Sequence, residues 1–117
     1  MDRDEYLARE VMQWHKGNID RADEYPGAYH DSGDKWIMPI RDWNPGESWP
    51  QTGMLLETME KDFYITVTQY WDYNNTGSEV VFRQWESGNC GRAKNTSLRE
   101  AIATAAARAK GWVDGMG

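Results

Sequence analysis

The strongest constraint on this chain is a change of period at Phe63. From Phe63 to Tyr73 the side chains alternate: Phe63, Ile65, Val67 and Trp71 fall on one side and Tyr64, Thr66, Thr68 and Tyr70 on the other. Nearly all of them are strand formers. Asn74-Asn75-Thr76-Gly77 supplies a turn, and Glu79 to Glu86 a partner strand with Val80 and Phe82 on one face and Val81 and Trp85 on the opposite one. A sheet with one wet side would alternate cleanly, whereas this hairpin is partly apolar on both faces. The expectation is a sheet covered on both sides, by helices, by a long loop or by a second copy. Cys90 to Lys94 reads as a short third strand after the Ser87-Gly88-Asn89 turn, and the short connections make the sheet an antiparallel meander.

Three helices frame that meander. Asp2 to Lys16 places Leu7, Val11 and Trp14 on one stripe, with a capping-box spacing at Asp2 and Glu5 and Gly17 just past the end. Ser48-Trp49-Pro50-Gln51 opens a second helix with a Ser cap and a Pro in the first turn. It continues through Met54, Leu55, Thr58 and Met59 to Lys61. Ser97 and Glu100 form a further capping box that opens a helix to Lys110, ended by Gly111. The buried stripe of that helix reads Leu98, Ile102, Ala105, Ala106 and Ala109, small enough to let it approach the sheet closely. Between Asn18 and Glu47 no period holds, apart from Lys35 to Ile40, an edge strand by virtue of Pro39. The predicted class is α+β, a single domain over 1–117, in the order α-α-β-β-β-α.

Composition narrows the function. One cysteine, Cys90, cannot close an internal disulfide, and zinc sites use several Cys or His ligands at close spacing. No run approaches the roughly 20 apolar residues of a membrane span, and the acidic opening is not a signal-peptide start. The reading is a protein of a reducing cytoplasm, that of a bacterial host once the likeness below is taken into account. A net charge of −6 argues against direct nucleic-acid binding and against anionic membranes. The charge is uneven: residues 1–82 carry 7 Lys and Arg against 16 Asp and Glu, while residues 83–117 carry 6 against 3. Seven Trp and six Tyr exceed what so small a core hides, which favours binding.

Four strings carry a family likeness. They are Ala8-Arg9-Glu10-Val11-Met12-Gln13-Trp14, Asp42-Trp43-Asn44-Pro45, Leu56-Glu57-Thr58-Met59-Glu60-Lys61-Asp62-Phe63 and Asn95-Thr96-Ser97-Leu98-Arg99-Glu100-Ala101-Ile102. With their order, the chain resembles the phage ABA sandwich domain family, small phage and prophage proteins. The resemblance implies an alpha/beta/alpha sandwich around the three-stranded meander and a phage origin, and it carries no catalytic residues over. The chain departs from the family pattern in a longer segment from Asn18 to His30 and in Ser97-Leu98 where the family has Ala-Pro.

The residues offer two binding sites. Arg92, Lys94, Asn95, Thr96 and Ser97 bring two cations and three hydrogen-bonding side chains to a helix start, where backbone amides and the dipole favour a phosphate or carboxylate. Trp85 or Tyr73 would give a nucleotide base its platform. The other site is Tyr25, Tyr29, Trp36 and Trp43 in the acidic segment, a surface for a basic host protein with rings as anchors, although Trp43 and Trp49 flank a helix start and also read as packed rings. Catalytic readings are thinner. Cys90 has basic neighbours, but no local motif fixes His15 or His30 beside it. Asp20, Asp23, Glu24, Asp31 and Asp34 with His30 match no metal-binding spacing, and no cofactor motif is present.

The expected function is a non-enzymatic phage accessory protein that binds and blocks or sequesters a host component, including a role against host defence. A nucleotide-sequestering protein built on Arg92 to Ser97 is the first alternative. A small hydrolase using Cys90 or clustered acids is the second. A homodimer would cover the two-sided hairpin.

Overall fold

A computed structural model of the chain describes residues 2–17, 27–71 and 76–113. Tyr25, Asp20, Asp23, Glu24, Tyr73 and the Asn74-Asn75 part of the turn lie outside the described residues. The first helix is shorter than its stripe predicts. Helix α1 (Arg3–Tyr6), capped by Asp2, runs into a π-helical turn at Leu7–Val11. Gln13 then takes φ of 59° and turns the chain into strand β1 (His15–Lys16). Leu7, Val11 and Trp14 are nonetheless all buried, because the turn delivers Trp14 to the core the helix was expected to reach.

The segment read as irregular holds strands β2 (Ala28–His30) and β3 (Trp36–Pro39), which join β1 in a small antiparallel sheet of order β1-β2-β3. Pro39 does sit on an edge strand. A short 3-10 turn (Ile40–Asp42) leads to helix α2 (Trp49–Met59), where Ser48 accepts a hydrogen bond from the Gln51 amide. The main sheet comprises β4 (Phe63–Trp71), β5 (Thr76–Gln84) and β6 (Cys90–Asn95), an antiparallel meander. Helix α3 (Leu98–Ala109) follows, capped by Ser97 and ended at Gly111, whose φ is 104°. No helix of the described residues is long and apolar enough to cross a membrane.

The layering differs from the expected sandwich. Helix α3 lies in the middle, against β5 and β6 on one side and against α1, the π turn and α2 on the other. Ala101, Ala103, Ala105, Ala106 and Ala107 are fully buried, as befits a helix enclosed nearly all round. On the sheet side, Gly91 leaves room for the backbone at Ala105 and Ala109, with which any Cβ there would collide. On the other side the Arg3 guanidinium donates to Glu100 and to Thr104 Oγ1. Burial pulls the Arg3 pKa down, but the bond to Glu100 and the neighbouring Asp4 carboxylate outweigh it and raise it.

The main sheet is therefore an outer layer. Val80, Phe82, Gly91 and Ala93 are covered by α3, while among the described residues nothing covers the opposite face. Two-sided cover, predicted from Val81 and Trp85, is not found: Trp85 is 63% exposed and Val81 sits half-buried among longer polar side chains.

Candidate functional site: the bare face of the main sheet

Register decides which side chains share the bare face. Tyr64 stands opposite Arg83, and Arg83 opposite Cys90; Thr66, Val81 and Arg92 form the next row; Thr68, Glu79 and Lys94 the third. Tyr70 faces Gly77 at the far end, and a Cβ on Gly77 would strike the Tyr70 hydroxyl, so the glycine lets that ring lie flat across the strand. Trp85 follows β5 in the same phase, and its ring meets that of Tyr64 at 4.7 Å. The result is a shallow groove of about 310 Å³ lined by Tyr64, Arg83 and Arg92 with Thr66, Thr68, Glu79 and Val81.

The cations differ in what they already hold. Lys94 Nζ lies 3.7 Å from Glu79 Oε2 and 5.6 Å from the centre of the Tyr70 ring. Glu79 is thereby balanced. The Arg83 and Arg92 side chains make no hydrogen bond or ion pair among the described residues, so both forks remain available to an anion.

The five residues expected to form one anion site separate. Arg92 and Lys94 point to the bare face, while Asn95, the next residue, has the phase of Gly91 and Ala93 and faces the helix side. Asn95 Oδ1 accepts from the Ser97 amide at 2.9 Å and the Thr96 hydroxyl at 3.4 Å, and Ser97 Oγ accepts from the Glu100 amide at 3.3 Å. The start of α3 is satisfied by its own side chains.

The aromatic set separates too. Tyr29 is 1% and Trp43 4% exposed, so neither presents its ring to a partner, which corrects their placement among the anchors. Trp14 packs on both, at 6.0 and 4.8 Å between ring centres, and Trp43 Nε1 donates to the Asp4 carbonyl at 2.7 Å. Burial, reinforced by the Glu5, Asp2 and Asp4 carboxylates, pushes the Tyr29 phenol up to about 12. Of the four, Trp36 alone is described as exposed, at 55%, while Tyr25 lies outside the described residues.

The catalytic candidates do not converge. His15 and His30 stack on each other in the small sheet at 5.8 Å, and His15 Nε2 lies 2.9 Å from Asp34 Oδ1. Cys90 is exposed on the main sheet, and neither histidine contacts it. Asp31 accepts the amides of Gly33 and Lys35, the role of a turn residue. No group of three or more His, Cys, Asp or Glu among the described residues is placed to hold a metal ion.

Sequence reasoning named Arg92, Lys94 and Trp85, which share this face, but did not set Tyr64 and Arg83 beside them. The signal was present: in a meander, odd positions of β5 and even positions of β4 and β6 share a face once the register is set.

No protein-family model matches the chain, and no curated protein matches it. Among solved structures, a phage protein from Bacillus cereus superposes with a TM-score of 0.60 over 92% of this chain and 84% of that one, at 14% identity. The likeness establishes a shared fold.

Proposed function

We propose that this chain is a non-catalytic binding protein of the phage accessory kind, which holds a phosphorylated, base-bearing ligand on the bare face of β4, β5 and β6. The carrying observation is the pair of guanidiniums, Arg83 and Arg92, that find no partner among the described residues and stand beside the Tyr64 and Trp85 rings. In a chain of net charge −6, surface arginines would ordinarily find carboxylates; here the face's Glu79 is matched by Lys94 and two forks are left over. A guanidinium fork fits phosphate oxygens in pairs, and a ring stacks on a base whatever its identity. The groove suits a nucleotide rather than a long strand, since acidic groups dominate the rest of the chain and would repel extended phosphates. The phage protein from Bacillus cereus that shares this fold supports a role in sequestering such a ligand from the host.

Titration calorimetry with mono-, di- and cyclic nucleotides tests this. The expected result is binding to at least one ligand, weakened tenfold or more by Arg83→Ala with Arg92→Ala, with the ligand recovered unchanged. Silence across the panel removes the reading, and ligand turnover by the purified protein replaces it with an enzymatic one.

A further inference from the structure

Strand β4 is an edge of the main sheet, and nothing among the described residues pairs with its outer side. Its nine residues, Phe63-Tyr64-Ile65-Thr66-Val67-Thr68-Gln69-Tyr70-Trp71, include no charge, no proline and no glycine. Proteins usually blunt such an edge with a lysine, a proline, a bulge or a covering loop, because a bare row of N–H and C=O groups recruits another strand. Among the described residues none of these devices is present on β4. Ile65 is 38% exposed, Val67 44% and Trp71 87%, since α3 lies over β5 and β6 and leaves the β4 side chains overhanging.

The strand also reads nearly the same in both directions about Val67. Thr66 mirrors Thr68, Tyr64 mirrors Tyr70, and Phe63 mirrors Trp71 as aromatic for aromatic; Ile65 and Gln69 are the unlike pair. Two copies of a strand pairing antiparallel about a two-fold axis set each residue opposite its mirror position. We infer that β4 is the seam of a homodimer in which two main sheets join edge to edge, with Val67 of each copy facing the other at the axis.

A second copy is the occupant because the strand's symmetry serves no other partner, and because a seam without charges brings no like-charge repulsion although each chain carries −6. Nine residues at about 3.4 Å each give a seam of roughly 30 Å. The overhanging side chains place the buried area at ~1,000 Å², the low end for a specific interface, so the association depends on concentration. Edge pairing keeps the two bare faces on the same side, and Tyr64 of one copy meets Tyr70 of the other. This inference rests on β4 alone and stands apart from the ligand reading.

Sedimentation equilibrium on the full chain is the first measurement. A mass rising toward twice that of one chain between about 1 and 500 µM supports the seam, and a single-chain mass throughout overturns it. Val67→Lys, which sets two ammonium groups opposite each other, is expected to hold the protein at one-chain mass with unchanged far-ultraviolet dichroism; a Val67→Lys dimer overturns the seam. Should that variant fail to fold, Val67→Cys in a Cys90→Ser background decides. Rapid disulfide cross-linking between copies is expected, with Glu86→Cys in the same background as the uncoupled control. Cross-linking no faster than the control overturns the proposal.

Discussion

The two faces of the main sheet are made from alternate residues of the same three strands, yet they differ in kind. Under α3 stand Val80, Phe82, Gly91 and Ala93, graded from large to small so that the helix lies close over β6. On the bare face stand Thr, Tyr, Arg and Lys, long side chains with polar ends and little to pack against. The first face carries stability through apolar area and shape, where a single methyl group counts. The second contributes almost nothing to the fold and is free to carry function. Apolar residues on both sides of a hairpin thus need not mean cover on both sides, since Val81 and Trp85 serve here as parts of an exposed surface.

Substitutions break or sharpen this contrast in a definite order. Phe82→Ala removes a side chain that is 1% exposed and should cost about 3–5 kcal/mol, read as a large drop in the urea midpoint. Gly91→Ala should cost about 1–3 kcal/mol, because the new methyl meets helix backbone, which cannot turn aside. A smaller effect belongs to Tyr29→Phe. The Tyr29 phenol ionises near 10.0 when unfolded and at about 12 when folded, so its contribution is complete below 10 and is lost as pH rises toward 12. The Phe variant should therefore lose less stability than the parent over that window in alkaline urea titrations. Arg92→Ala on the bare face should stay within about 0.5 kcal/mol of the parent while weakening nucleotide binding. A loss of several kcal/mol there would mean that the face is structural.

Local signals in the sequence were reliable where a residue acts on its own neighbours. Ser48 and Ser97 cap their helices as the capping boxes indicate, and Phe63 starts the strand at the change of period. What was not legible depends on pairing over distance. Strands of two to four residues such as His15–Lys16 and Ala28–His30 are too short to show a period, and nothing near His15 signals that it pairs with His30. The anion site failed as a unit for a related reason. Adjacent residues of a strand look to opposite faces, so Arg92 and Lys94 part from Asn95 because the strand, expected to stop at Lys94, runs on through Asn95. Tyr29 reads as a surface ring because the polar loop around it hides the small core that Trp14 builds with it and with Trp43.

The position of α3 bears on how the molecule is made. This alanine helix is the last of the described elements in sequence, yet it packs against both the main sheet and the N-terminal helices. During synthesis the hairpin and the first helices emerge before the pillar they lean on. The contacts that unite the main sheet with the first helices therefore depend on the helix made last among them, Leu98–Ala109, and form only once it is available to pack.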